Sequence, residues 1–331
     1  MARERTGPDA AAAPPPGWNE ELARLSAEPE RLPAPADSYL TPAGVLRAAD
    51  RLVRAHGGRP VRIGATREDR PIWAIHFGPI GSVRGVFLLS LLHACEWIGP
   101  LALLAAAERI VRESPDLPLV LVPIANPDGA ARAHASVLSG RPRFLRGNAR
   151  GIDLNRNFPV GHRPRGFMSS LPWVRPGPFA LSEPETASIA ALAREALPSI
   201  AISFHSFGRW FFYPPAHRAR PSPGSEQHGR ILESAGGAAS IGYRSRQLGR
   251  WRSWFRAHGT EIDFLSDEVG SAAFLVEISG GGIGRWGLRR IALPFYWYNP
   301  PKPEAEIEKL AAFCARLVSG RPARPETPVS R

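Results

Sequence analysis

Cysteine is nearly absent from this chain of 331 residues: only Cys95 and Cys314 occur, which excludes a disulfide framework and agrees with a reducing compartment. Long apolar runs are missing too. No stretch of about 18 apolar residues is present, so a membrane-spanning helix is excluded, and no apolar core follows Arg3 and Arg5 as a secretory signal would require. A cytoplasmic address is the expectation. The formal charge of +12 comes mainly from arginine, yet a basic helix and an RNA-binding aromatic signature are both lacking. The arginines are scattered from Arg3 to Arg331, many of them in proline-rich loops. That argues against nucleic-acid binding. Attraction for acidic or carboxylate-bearing substrates is the better use of the charge, with a solvated arginine-rich surface as the plain alternative.

What is present suffices for a sizeable core, since 44% of the residues are hydrophobic. Residues 1–37 are dense in Ala, Pro and charge and lack apolar periodicity, so they read as a disordered or wrapping leader. A single domain over 38–318 and a flexible tail over 319–331 complete the expected organisation. Within the domain helical and extended segments alternate, which indicates an α/β fold. A helical stripe runs over 43–56 and stops at Gly57-Gly58, and the short runs Val61 to Ala65 and Ile72 to Phe77 read as a hairpin. Residues 85–93 are almost continuously apolar, as in a strand covered on both faces, and end in His93. A helix from Trp97, a buried strand over 117–124 and a strand over 199–204 that delivers His205 follow. Ser182 and Glu185 have the spacing of a capping box, and the strand around Phe274 sets Glu277 among apolar neighbours. In the last helix, about 304 to 318, Cys314 falls on the apolar face and reads as a core residue.

His93 and Glu96 are three residues apart, a spacing that brings side chains on a helical turn to about 5 to 6 Å at Cβ. With His205 they make two imidazoles and one carboxylate, the ligand set of a catalytic zinc with a position left open for water. His93, the turn at Asn126, His205 and Glu277 all lie at or near carboxyl ends of expected strands, where α/β sheets gather functional groups. The polar stretch 146–159 contains Asn155-Arg156, and an arginine fork beside an amide donor suits a planar carboxylate.

Taken together, His93-Ala-Cys-Glu96-Trp97, Asn126-Pro-Asp-Gly129, Gly151-Ile-Asp-Leu-Asn-Arg-Asn-Phe158, Ser182-Glu-Pro-Glu185, Ser203-Phe-His205-Ser206 and Phe274-Leu-Val-Glu277 resemble the zinc carboxypeptidase family, the M14 peptidases typified by carboxypeptidase A. The resemblance spans roughly residues 38 to 318. It implies one domain with a central mixed sheet flanked by helices, and a single zinc ion held by His93, Glu96 and His205. Asp153 would take the other ring N–H of His93, and Glu277 would be the general base for zinc-activated water. Arg146 falls where the family stabilises the oxyanion, with Arg143 or Arg150 as alternatives of register. Asn155 and Arg156 would bind the terminal carboxylate of a peptide substrate.

Two departures bear on the substrate. Counting back from Glu277 without gaps puts Phe255 where the family has a mobile tyrosine, with Tyr243 as a substitute. Cys95 stands where arginine is frequent; a small packing residue is the plain reading. The same count puts Ile262 at the base of the pocket for the terminal side chain, implying a preference for apolar or aromatic residues. The resemblance also leaves open an amidase or deacylase acting on murein peptides or acylated amino acids, and a zinc- and carboxylate-binding relative without catalysis.

Overall fold

Thr41 opens the first long helix: its hydroxyl accepts the Gly44 N–H at 2.9 Å, while Pro42 occupies a first-turn position that needs no donor. Val45, Leu46, Ala49, Leu52 and Val53 then face inward until Gly57, at φ 69°, ends the helix in the left-handed conformation. The computed structural model describes residues 17–79, 84–140, 143–165, 171, 173–222, 225–280 and 295–320. Its helices are α1 (Trp18–Arg24), α2 (Pro42–His56), α3 (Ile98–Glu113), α4 (Pro127–Leu138), α5 (Pro184–Ala196), α6 (Ser225–Ser234), α7 (Glu261–Asp267), α8 (Phe295–Tyr298) and α9 (Glu304–Ser319). The strands are β1 (Arg59–Ala65), β2 (Pro71–Phe77), β3 (Val86–Ser90), β4 (Leu119–Val122), β5 (Ile200–Ser206), β6 (Trp210–Tyr213), β7 (Arg244–Gln247) and β8 (Ala272–Ile278).

Among the described residues these strands form one mixed sheet in the order β1-β2-β4-β3-β5-β8-β6-β7. The central strands β4, β3, β5 and β8 run parallel, and β1/β2, β2/β4 and β6/β8 are antiparallel pairs. Alternation within β3 explains its unbroken apolar sequence: Val86 and Leu88 join a core under α2, α3 and α9, while Phe87 and Leu89 join the opposite one with α5 and α7. From β3 the chain moves to β4 on one side and later to β5 on the other. A crevice therefore opens beyond the carboxyl ends of β3 and β5. At the start of α3, Gly99 makes this junction possible, since a Cβ there would sit 2.9 Å from the Phe204 carbonyl oxygen of β5.

The α/β mixed sheet, the hairpin and the buried Cys314 agree with the sequence reading. Two points go beyond it. From Trp18 onward the leader packs: the Trp18 ring is fully buried, meets Trp73 edge-on at 5.0 Å and donates to Asp50 at 2.9 Å. Its first 16 residues, and the tail from 321, lie outside the described residues. The capping box does not form. Glu183 is the N-cap of α5, and Ser182 Oγ donates to Glu183 Oε1 at 3.0 Å while Glu185 faces Asn148. The Asn126 motif is also structural, for Asn126 caps α4 by accepting the Gly129 N–H at 2.9 Å.

Candidate metal centre and active-site cleft

After β3 the backbone turns tightly, with Glu96 N–H donating to the His93 carbonyl at 3.1 Å, and this turn aims both side chains at one point. A second turn is stitched to it, since Ala94 N–H donates to the carbonyl of Arg146 at 3.0 Å. Asn299, which the sequence reading did not single out, secures the far side: it donates to the Cys95 carbonyl at 2.8 Å and accepts from Ile98 N–H at 3.0 Å. Cys95 itself is buried, which pushes its thiol well up and leaves it a packing group.

His205 arrives on β5, opposite Glu277 of β8 in the parallel register. His93 Nδ1 lies 2.9 Å from Glu96 Oε1, His205 Nδ1 lies 2.9 Å from Glu96 Oε2, and the two Nδ1 atoms are 3.1 Å apart. Each imidazole turns its other nitrogen to a carboxylate: His93 Nε2 to Asp153 at 3.1 Å, and His205 Nε2 to Glu261 at 3.1 Å, with Ser203 Oγ at 2.9 Å. Such outer partners fix the tautomer that presents Nδ1 to the centre. Asp153 was anticipated in sequence. Glu261 was not, because a glutamate following Thr260 at a helix start reads as a first-turn acid.

Electrostatics follow from these distances. Burial works against the Glu96 carboxylate, but the two imidazoles outweigh it and bring the group down to about 2. Burial likewise opposes charge on His205, yet Glu96 and Glu261 lift it to about 10. The constellation thus favours positive charge between its donors. Arg146 donates through Nε to Asp153 Oδ2 at 2.9 Å and has a second nitrogen 3.7 Å from Glu96. Burial opposes the Asp153 carboxylate, and Arg146, His93 and Arg156 together more than offset that, holding it well below the usual range. Glu277 is pushed up to about 8 by burial and by the nearby Glu96, and its Oε2 has no hydrogen-bond partner among the described residues.

A cleft of about 740 Å³ joins these groups; His93, Arg146, Asn155, Arg156, Phe255 and Glu277 all line it. Arg143 and Arg150 do not, and Arg150 instead pairs with Glu183 at 3.3 Å. Two sequence expectations fail here. Ile262 is fully buried in the core with Phe264 and is not part of the cleft lining, where Thr260, Leu248 and Leu275 are found instead; an ungapped count cannot follow the turn before α7. Tyr243 is buried against Phe211 at 5.6 Å and is not part of the cleft lining, so it does not serve as the substitute for the mobile tyrosine. Phe255 does face the cleft and meets Trp251 edge-on at 5.3 Å.

The donor set fits zinc: two imidazole nitrogens and one carboxylate, all ligand atoms within 4.8 Å of one another, with outer carboxylates on both rings. A divalent cation held by these three groups would meet that demand for positive charge.

Comparison with known proteins points the same way. A family model described as zinc carboxypeptidase, peptidase M14, matches residues 46–311. Human carboxypeptidase A1 is 26% identical over 245 residues, which is 69% of this chain and 58% of that protein. Human carboxypeptidase A6 is 30% identical over 197 residues, 52% of this chain and 43% of its own length. This chain therefore spans less than two thirds of the relatives it matches. Among solved structures, bovine thrombin-activatable fibrinolysis inhibitor in complex with tick carboxypeptidase inhibitor superposes with a TM-score of 0.69 at 19% identity, covering 85% of this chain and 96% of the other. The murein-tripeptide amidase of Escherichia coli gives a TM-score of 0.51 at 20% identity, covering 80% and 93%. At these identities the superpositions speak to the fold. With the family model covering most of the sequence and the sheet sharing that fold, this chain belongs to the zinc carboxypeptidase family.

Proposed function

We propose that the chain is a zinc-dependent metallocarboxypeptidase that hydrolyses the last peptide bond of substrates ending in a free carboxylate. The observation that supports this most is one cleft lined jointly by a metal-ligating histidine, a glutamate with a free oxygen, and the Asn155-Arg156 pair. His93, Glu96 and His205 would hold the ion, which when bound supplies a Lewis acid that polarises a carbonyl and makes water acidic near neutral pH.

Glu277 Oε2 takes the proton of the attacking water and delivers it to the leaving amine nitrogen. Burial and Glu96 set its high affinity for a proton, and positive charge at the neighbouring triad works in the opposite direction, leaving a base that both accepts and releases a proton around neutrality. Arg146, oriented by Asp153, donates to the oxygen on which negative charge develops; a donor of this kind is worth about 10²- to 10³-fold in turnover. Asn155 Oδ1 is engaged by the Glu261 N–H at 3.0 Å, which turns its amide nitrogen into the remaining donor beside the Arg156 guanidinium. Together these hold the terminal carboxylate and give end selectivity.

A digest of a peptide library by the zinc-loaded protein, read by mass spectrometry beside murein tripeptide, tests the reading. Ladders shortened only from the C-terminal end are expected. Internal cuts, or no shortening of any linear peptide, would overturn it, and turnover of murein tripeptide alone would assign the amidase reaction instead.

A further inference from the structure

The wall of the cleft away from the triad is built by β6 and by β7, the edge strand beside it. Across the antiparallel pair Trp210 stands opposite Glu277 and Phe212 opposite Leu275; across the next pair Trp210 stands opposite Arg244 and Phe212 opposite Arg246. Residues paired across strands share a face of the sheet. Arg244 and Arg246 therefore project on the same side as Glu277 and Leu275, two strands or about 10 Å away along the sheet, and all of these side chains line the one cleft.

Trp210 and Phe212 stack at 5.2 Å with only 10° between their planes, and the Arg244 guanidinium lies over Trp210 at 4.0 Å. Arg252, from the neighbouring loop, lies over Trp251 at 5.2 Å. An aromatic shelf thus carries guanidinium groups on its far side. Two other arginines of the lining are neutralised, Arg209 by Glu306 through two bonds of 2.9 and 2.8 Å and Arg146 by Asp153, while Arg156 is the guanidinium assigned above to the α-carboxylate. Among the described residues Arg244, Arg246 and Arg252 enter no ion pair, and Glu277 is the only carboxylate in the lining. Uncompensated cations at the end of an apolar slot suit a ligand with an aliphatic stem and a terminal anion.

We propose that this cleft selects peptides whose C-terminal residue bears an acidic side chain, its carboxylate held by Arg246 and Arg244 while the α-carboxylate rests at Asn155-Arg156. The inference rests on the carboxypeptidase reading for which residue is terminal, and it reverses the apolar preference expected from Ile262.

Peptides identical except for a terminal Glu, Gln, Phe or Lys test it, with a further peptide carrying Glu in the penultimate position. Terminal Glu should exceed Gln by about tenfold or more in kcat/KM, the worth of one charged contact, with the gap residing in KM and shrinking as salt is added. Arg246→Gln and Arg244→Gln should each move the Glu-to-Gln ratio toward one. Calorimetric binding of N-acetylglutamate against N-acetylglutamine reads the same preference without turnover. If peptides are trimmed with no preference for Glu, or with Glu favoured only in the penultimate position, the inference fails while the carboxypeptidase reading stands. If nothing is trimmed yet N-acetylglutamate binds tenfold tighter and Arg246→Gln abolishes the gap, the inference stands and the hydrolytic reading fails. Equal binding of the two acetyl amino acids overturns the inference in either case.

Discussion

His205 Nε2 meets Glu261 Oε1 at 3.1 Å, and this buried contact closes a ring that links both imidazoles of the triad. From His93 the ring passes to Asp153 at 3.1 Å, then to the Asn155 N–H at 3.0 Å, and from the Asn155 side chain to the Glu261 N–H at 3.0 Å. The segment proposed to bind the terminal carboxylate is therefore also the brace between the two metal-orienting carboxylates.

Glu261→Gln keeps the size of the brace and removes its charge, so the basicity of His205 falls. Zinc affinity is expected to drop about 10- to 100-fold, measured by competition with a chelator. An unchanged dissociation constant would show that Glu261 serves only in packing.

Glu277→Gln removes the proton acceptor and leaves the triad intact. Turnover should fall by about 10²- to 10⁴-fold, with zinc content preserved. Turnover close to that of the parent enzyme on every cleaved peptide would exclude the proposed role.

Asn299→Ala deprives the buried Ile98 N–H and Cys95 carbonyl of their partners, on the turn that carries His93 and Glu96. Each buried group left unpaired costs about 1 to 3 kcal/mol. Urea denaturation should show a loss of about 2 to 6 kcal/mol for the two groups together, with weaker zinc retention. A loss of stability with zinc affinity unaltered would separate Asn299 from the metal centre.

Acid should destabilise the fold through His228. Its ring is stacked on Tyr213 at 5.5 Å and its Nε2 accepts the Ala273 N–H, and burial lowers it to about 4 from an ordinary value of 6.5. Between those values the unfolded chain holds more protons, so the stability His228 contributes is present above about pH 6.5 and lost as pH falls through about 4. Glu185 works in the other direction: burial raises it to about 7, so its contribution is present below about 4.5 and lost as pH rises through 7. His228→Gln should remove the first component, changing the slope of stability against pH by up to about 1.4 kcal/mol per unit in that window. Parallel slopes in the two proteins would contradict this.

Legibility in the sequence followed the range of the interactions. Period and composition sufficed for α2, the hairpin and the buried strand β3, because each is dictated by its own side chains and caps. His93, Glu96, His205, Asp153 and Glu277 were readable as members of short motifs, and the fold brings them together. Glu261 and Asn299 were not, since their partners lie 56 and about 200 positions away and nothing local marks them. The Ile262 expectation failed because residue counting carries no information about which way a turn throws a side chain. Ser182 failed as a cap because its hydroxyl accepts from Asn157 Nδ2 and donates to Glu183, a tertiary arrangement that local propensity cannot register.

Anomalous diffraction at the zinc edge, from crystals of the protein purified with zinc, bears most directly on the metal centre. One peak per chain is expected, within bonding reach of His93 Nδ1, His205 Nδ1 and a Glu96 oxygen. A zinc ion found on other residues, or a zinc-saturated protein with no peak between these three groups, would contradict it.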